Sequence, residues 1–287
     1  MSNNPAEHQK MSAFRITVLV ENTAQWRGLL GEHGLALWIE VGTKRILFDT
    51  GQTELVRRNA RALNIDPPAA ESIVLSHGHY DHTGGLATVQ GQTGRINVYL
   101  HPHALAEKYA ENLDGTVRDV GMPGESRDAL DACGTPIFTE HPVNVCGGFW
   151  CTGPVPRTTD YEDTGGAFFT DTQCRRPDHL VDDQAAVMDT HDGVVAVLGC
   201  AHAGLINTLR YVKELFPGRP IHTVIGGTHL TAADESRMRK TVEALREFDV
   251  QYLYPLHCTG FTAAARLWRE FPDRVFPCPV ATSLEFK

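Results

Sequence analysis

Within six residues, His77-Gly78-His79-Tyr80-Asp81-His82 gathers three imidazoles and a carboxylate directly after the apolar run Ser72-Ile-Val-Leu75. Imidazole and carboxylate are the donors that divalent metals such as zinc take from proteins. In extended chain, residues two apart share a face, so His77 and His79 can close on one cation. Gly78 leaves that approach uncrowded. Asp81 and His82 are neighbours and would diverge in a strand, but a tight turn into a helix starting near Gly84-Gly85 can aim both at a second cation. Buried without metal, the rings would leave several polar atoms to satisfy. The expectation is two metals about 3.5–4 Å apart at the end of a buried strand.

The rest of the chain reads as strands and helices that could support such a turn. Ser72 to Leu75 suits a strand covered on both faces. Arg15 to Val20, Gly34 to Glu40 and Arg45 to Asp49 read as strands, the last two joined at Gly42-Thr43, and Gln52 to Leu63 has helical spacing. After the histidine cluster come a helix from Gly84, a strand at Ile96 to Leu100, and a Gly, Asp and Pro-rich stretch from about Asn112 to Gly134 that reads as an insertion or lid. In the second half, Val181 to Thr190 and Gly193 to Leu198 form a hairpin around His191-Asp192-Gly193. A helix (Gly204 to Phe216), a strand (Ile221 to Ile225), a helix (Ala233 to Phe248), a strand (Val250 to Tyr254) and a helix (Thr262 to Phe271) follow. Strands followed by helices in both halves predict an α/β (α+β) fold, a four-layer αββα sandwich of two mixed β-sheets flanked by helices. Residues 1–13 read as a flexible tail and 14–287 as a single domain with the insertion or lid around 112–134.

Composition narrows the function classes. A hydrophobic content of 42% supports a real core, and the net charge of -9 arises from 35 acidic against 26 basic residues without a long run of one sign. That balance argues against nucleic acid or an anionic membrane as the partner. The polar start and the lack of eighteen consecutive apolar residues give a cytoplasmic expectation with no membrane contact. Seven cysteines without a C-x-x-C pair suggest neither a disulfide framework nor a zinc ribbon.

The segment Ser76-His77-Gly78-His79-Tyr80-Asp81-His82-Thr83-Gly84-Gly85, preceded by Leu47-Phe48-Asp49-Thr50-Gly51, resembles the metallo-β-lactamase superfamily, with both motifs in the family's order and approximate spacing. The resemblance implies that Asp49 orients the metal-binding loop from behind the ligands. Three later strand ends offer further ligands on small residues that let the backbone approach a site. They are Gly199-Cys200-Ala201-His202-Ala203-Gly204, Gly226-Gly227-Thr228-His229 and Pro255-Leu256-His257-Cys258-Thr259-Gly260. By position in the family, His257 is the final histidine ligand and joins Asp81 and His82. His202 is expected to complete the other set with His77 and His79. The family's common pattern has a bridging aspartate at a later strand end. None follows Leu198 here, so Cys200 is either the bridge, as a thiolate, or a non-ligating neighbour. His229 is either a group that binds substrate or metal and takes part in catalysis, or a satisfied structural histidine.

A larger set is similar to the branch of this superfamily around the dihydropterin-ribofuranosylaminobenzene-phosphate synthases of methanopterin biosynthesis. It comprises Asn59-Ala60 with Leu63, Asp182-Asp183-Gln184-Ala185, Gly199 to Thr208, Gly226 to Leu230 and His257 to Gly260, and the likeness runs from Ile16 to Phe271. It places Arg157 near the pocket, where it could hold a substrate phosphate. Phe149, Trp150, Phe168 and Phe169 either floor a pocket for a flat substrate or pack the core.

These readings predict a hydrolase that uses a binuclear centre and activated water on a small-molecule ester or phosphoester, with Asp81 and His229 as catalytic groups. The metals are expected to be zinc, with manganese or iron as alternatives. A first alternative is a transferase that condenses a dihydropterin diphosphate and releases pyrophosphate. A second is a non-hydrolytic metal-binding or redox member, against which it counts that di-iron members carry a glutamate where His79 stands. The partner is a small molecule, phosphorylated or pterin-like, and a homodimer is left open.

Overall fold

Apolar side chains at nearly every position of the first strand demand cover on both of its faces, and the fold supplies it. The computed structural model describes residues 13–89, 95–112 and 114–287, so the expected tail lies outside the described residues apart from Ala13. In β1 (Phe14–Val20) every residue but Arg15 is buried. It pairs antiparallel with β2 (Ala36–Val41), which turns through Gly42, at φ 58°, into β3 (Lys44–Phe48). Helix α1 (Leu55–Ala62) follows, then β4 (Ser72–Val74), parallel to β3. The short helices α2 (Tyr80–Thr83) and α3 (Leu86–Val89) lead towards β5 (Ile96–Leu100), parallel to β4.

A short antiparallel pair, β6 (Tyr109–Glu111) and β7 (Val117–Asp119), precedes helix α4 (Gly124–Cys133) and β8 (Gly134–Phe138), which closes one edge of the first sheet. Of the stretch expected as an insertion or lid, the α4 half is framework. Met122 and Leu130 are buried in the same apolar cluster as Leu47, Ile73 and Leu86.

The second sheet is built from β9 (Val143–Cys146), β10 (Phe149–Pro154), β12 (Gln184–Asp189), β13 (Val194–Leu198), β14 (Ile221–Gly227) and β15 (Tyr252–Leu256), with β11 (Phe168–Phe169) standing apart. Helices α5 (Leu205–Leu215), α6 (Glu235–Phe248) and α7 (Phe261–Glu270) cover its outer side. The last strand, β16 (Ser283–Phe286), returns to pair with β1. Strand orders are β16-β1-β2-β3-β4-β5-β8 and β15-β14-β13-β12-β10-β9, with a small third sheet β11-β6-β7.

The period of two along a strand explains the layers. In β13, Val195 and Val197 join Ile16, Val18, Leu37, Ile39 and Phe48 between the two large sheets, whereas Val194, Ala196 and Leu198 face α5 to α7. Each fully buried valine or leucine of this kind contributes about 1.5–3 kcal/mol relative to exposure. Two mixed sheets face to face with helices outside are the predicted αββα sandwich. Among the described residues, no helix is long and apolar enough to cross a membrane.

The parallel pairing positions the site. β3 with β4 in one sheet, and β13, β14 and β15 in the other, run in register, so their carboxyl ends align. Asp49 and Ser76 follow the first pair. Cys200, His229 and His257 follow the second group.

Candidate metal centre

Asp49, fully buried at φ 56°, accepts from the Ser76 backbone N–H at 2.7 Å and from Ser76 Oγ at 2.7 Å. Its Oδ2 also takes a hydrogen bond from His82 Nδ1 at 2.7 Å. One carboxylate therefore ties the end of β4 to the helix-borne His82. Between them the chain must pass close to its neighbours, since a Cβ on Gly78 would stand 2.2 Å from the Ala104 carbonyl oxygen. Extended His79 then enters α2, and that turn brings Asp81 and His82 to the same centre as His77 and His79, as expected of these adjacent residues.

The outer hydrogen bonds fix which ring nitrogen faces inward. Because Ser76 Oγ spends its hydrogen on Asp49, it accepts from His77 Nδ1 at 2.9 Å. His202 Nδ1 donates to the Thr164 carbonyl at 2.7 Å, and His257 Nδ1 to Asn22 Oδ1 at 2.9 Å. With His82 Nδ1 on Asp49, four histidines thus present Nε2 to one another.

Two groupings result. The ligand atoms of His77, His79 and His202 all lie within 4.8 Å of one another. His77 Nε2 is 3.0 Å from His79 Nδ1, while Nε2 of His79 and Nε2 of His202 are buried without any hydrogen-bond partner. In the second grouping, Asp81 Oδ2 is 3.2 Å from His257 Nε2 and 3.8 Å from His82 Nε2, which is itself 3.2 Å from His257 Nε2. Cys200 Sγ stands 3.1 Å from His82 Nε2, and it clusters with His77 and His82, with His202 and His229, and with His257 and Cys258. It is the donor common to both groupings.

Electrostatics suit the same reading. Burial, reinforced by neighbouring histidines, holds His77 and His202 well below the ordinary imidazole range. Burial also lowers His79 to about 4 and His229 to about 3, so these rings are neutral at pH 7 and keep a lone pair for a ligand. Burial works against ionised Asp81, but His82, His257 and His33 outweigh it and hold the carboxyl well below its usual range. At His82 burial is likewise outweighed, by Asp49 and Asp81, and the ring rises to about 9. Negative charge strong enough to hold a proton there also attracts a divalent cation. Burial and the neighbouring Cys258 push the Cys200 thiol up, and a coordinated metal would invert that by deprotonating it. Neutral imidazoles, an ionised carboxylate, a thiol and the partnerless Nε2 of His202 fit a divalent metal.

His229 lies in the site, its ring 4.4 Å from that of His202 and its backbone at φ 48°. Arg157 stands beside the site as expected: Nη1 and Nη2 donate to the carbonyls of His202 and His179, both at 2.7 Å, so the guanidinium braces the His202 loop. Phe149 and Trp150 are core residues. Residues 165–168 lie directly against the rings of the centre. The Phe168 ring packs 4.9 Å from that of His79 and 5.4 Å from that of His202, and Gly165 is so near His229 that a Cβ would fall 1.9 Å from its Nδ1.

Sequence reasoning missed the supports. Glu21 Oε1 accepts the His257 backbone N–H at 3.0 Å, Asn22 holds its ring, and His33 Nε2 lies 3.1 Å from Asp81 Oδ2. Their only signal was polar residues at the end of an otherwise apolar strand and in the loop after it. A cavity of about 820 Å³ adjoins this side, bounded by His257, Asn22, Phe261, Trp268 and Phe276 among others.

Comparison with known proteins bears on both fold and site. The chain is 33% identical over 259 residues to the Uncharacterized protein MJ0448 of Methanocaldococcus jannaschii, covering 88% of this chain and 93% of that one. It is 28% identical over 275 residues to the 7,8-dihydropterin-6-methyl-4-(beta-D-ribofuranosyl)-aminobenzene-5'-phosphate synthase of the same organism, covering 92% and 94%. The solved structure of Tm1679, described as a metal-dependent hydrolase of the beta-lactamase superfamily, superposes with a TM-score of 0.81 at 32% identity, over 94% of this chain and 98% of that one. Members of that superfamily are mostly metal-dependent hydrolases and generally bind divalent metals. The Metallo-beta-lactamase superfamily matches residues 30–257, a span that runs from ahead of the Asp49 strand to the last histidine of the centre, and the chain belongs to that superfamily.

Proposed function

We propose that the protein is a metal-dependent hydrolase acting through activated water on an ester or phosphoester of a small molecule. Its centre is binuclear, held by His77, His79 and His202 on one side and by Asp81, His82 and His257 on the other, with Cys200 as the shared ligand. The observation that carries this reading is the cluster of His77, His79 and His202, whose ligand atoms all lie within 4.8 Å of one another, with His202 Nε2 buried and without a hydrogen-bond partner. A divalent metal, zinc first and manganese or iron as alternatives, supplies Lewis acidity that lowers the pKa of water and polarises a carbonyl or phosphoryl oxygen.

The chain's own groups do the positioning. Asp49 keeps His82 Nε2 turned inward through its bond to Nδ1. Asp81 stays ionised, with His82 and His257 on its inner side and His33 Nε2 3.1 Å from its Oδ2, as a ligand must be. Neutral His229 stands beside His202 as a group able to donate to or accept from a substrate oxygen. Phe168 keeps water off the His79 side. The cavity beside His257 has the size of small-molecule sites, and its aromatic wall suits a flat or apolar part of the substrate.

A second reading is condensation of a dihydropterin diphosphate with release of pyrophosphate, favoured by the synthase relative that matches over 94% of its length. The test is metal-loaded protein assayed against aryl esters, lactones and aryl phosphoesters, with pyrophosphate release from a dihydropterin diphosphate measured in parallel. Hydrolysis that is lost in His79→Ala supports the first reading, and pyrophosphate release without hydrolysis transfers the assignment to the second. Protein that binds no divalent metal overturns both.

A further inference from the structure

Three consecutive residues outside the proposed ligand set touch both loops that carry the three-histidine cluster. Asp182 Oδ2 accepts the backbone N–H of Gly78 at 2.8 Å, the peptide between His77 and His79. Asp183 Oδ2 accepts the backbone N–H of Ala203 at 2.8 Å, the residue after His202. Gln184 closes the join, its backbone N–H on the Ser76 carbonyl at 3.0 Å and its side-chain amide on the Leu75 carbonyl at 2.8 Å. His77 and His79 follow the end of β4 in the first sheet, and His202 follows β13 in the second. Adjacent side chains diverge, which lets two neighbouring carboxylates reach two loops arriving from different sheets.

The charge arrangement is costly and therefore informative. Asp182 Oδ1 accepts from Lys108 Nζ at 3.0 Å, and Lys108 also donates to Asp178 at 2.9 Å. Lys108 and Asp182 are 0% exposed and Asp178 is 4% exposed. Buried ion pairs of this kind add little net stability over a well-packed apolar core, so stability alone does not account for the arrangement. A lysine locked from behind keeps Asp182 ionised and fixed, which makes its other oxygen a rigid acceptor for Gly78.

We infer that Asp182, Asp183 and Gln184 form a clasp, backed by Lys108, that sets the spacing between the His77–His79 loop and the His202 loop and thereby the fit of that cluster to a cation. These are positioning residues, and the inference rests on the metal reading of the site given above.

The test uses the full chain, stripped of metal and titrated with zinc against a competing chelator, and with cobalt(II) followed by its visible spectrum. Asp182→Ala and Asp183→Ala should weaken zinc by about 10–100-fold, the range for loss of a partner behind a metal ligand, and shift the cobalt bands. Asp183→Asn should restore affinity, because it keeps an oxygen for Ala203. Wild-type affinity and spectrum in folded alanine variants would overturn the clasp. Should those variants not fold, Asp182→Asn decides: one amide oxygen cannot serve both Gly78 and Lys108, so its cobalt spectrum must shift, and an unshifted one overturns the inference. Wild-type protein that binds no zinc removes the metal reading and the clasp with it, whereas wild-type binding with unaffected variants removes the clasp alone.

Discussion

Cys200 Sγ lies 3.1 Å from Nε2 of His82, and the same sulfur clusters with His77 and with His257, one from each of the two groupings. If the sulfur is a ligand, cobalt-substituted protein will show intense near-ultraviolet thiolate-to-metal absorption that disappears in Cys200→Ser. Cobalt-loaded wild type without that band would make Cys200 a bystander.

Loss of a ring that anchors the cluster should separate metal binding from folding, because the sheets carry the core independently of it. His79→Ala and His202→Ala are expected to retain the wild-type far-ultraviolet circular dichroism. Their metal affinity should fall by more than the roughly 10–100-fold that loss of a ligand's partner costs. Full metal content after dialysis of either variant would be incompatible with the proposed ligand set.

Asp49 should behave differently, since it ties a strand end to a buried ring. Removing it in Asp49→Ala leaves His82 Nδ1 and both Ser76 donors without an acceptor. A loss of about 3–5 kcal/mol is expected, the cost of breaking a buried charged pair. Urea denaturation of metal-free protein measures it, and a change below about 1 kcal/mol, the net worth of one ordinary hydrogen bond, would contradict the role.

Metal-free protein should be most stable near pH 6.5. Burial lowers His79 from 6.5 to about 4 and His229 to about 3, so below pH 6.5 the unfolded chain takes up protons that the native rings refuse, and stability falls with acid. His77 and His202 are lowered in the same direction. His82, where two aspartates outweigh burial, sits at about 9; its native charge is lost by the unfolded ring above 6.5, so that stabilisation disappears as pH rises through 9. Burial raises Asp183 from 3.8 to about 7, and its contribution is lost as pH rises through 7, partly offsetting the acid-side slope of the four histidines. Thermal midpoints of chelator-treated protein between pH 4 and 9 trace the curve, and a midpoint that rises steadily to pH 9 would refute the assignment.

Residues 165–168 offer a separate handle. Gly165 has φ 78°, and a Cβ there would fall 1.9 Å from His229 Nδ1. Gly165→Ala must push the Thr164–Phe168 segment off the centre, at an expected cost of about 1–3 kcal/mol for the displaced packing. Deuterium exchange should quicken at residues 164–168, and unchanged exchange together with unchanged stability would show that the contact carries no strain.

The proposed ligands were legible in the sequence for a physical reason: a metal demands particular donor atoms, and four of the seven proposed here fall within six residues, with Cys200, His202 and His257 at strand ends marked by small residues. The layered fold was legible because β13 and its neighbours show continuous burial. What stayed hidden is set by distant pairing. Glu21 and His257 are separated by 236 positions, and nothing around either signals the bond. β16, four residues of mixed character, exists because the free edge of β1 takes it up. The third sheet has strands of two or three residues, too short to establish a period. Within 112–134, glycine and proline at the flanks masked a helix whose one apolar contact, Leu130, reaches the core. The two carbonyls that Arg157 braces, those of His202 and His179, lie 45 and 22 positions away, and nothing around it in the sequence announces them.

The imidazoles of the centre are contributed by both sheets, His77, His79 and His82 beyond β4, His202 beyond β13 and His257 beyond β15. An ion seated among them is a rivet through the two halves of the sandwich, and neither half can peel away without ejecting it. Cellular metal supply would then govern how long each copy survives proteolysis, quite apart from how fast it turns over substrate.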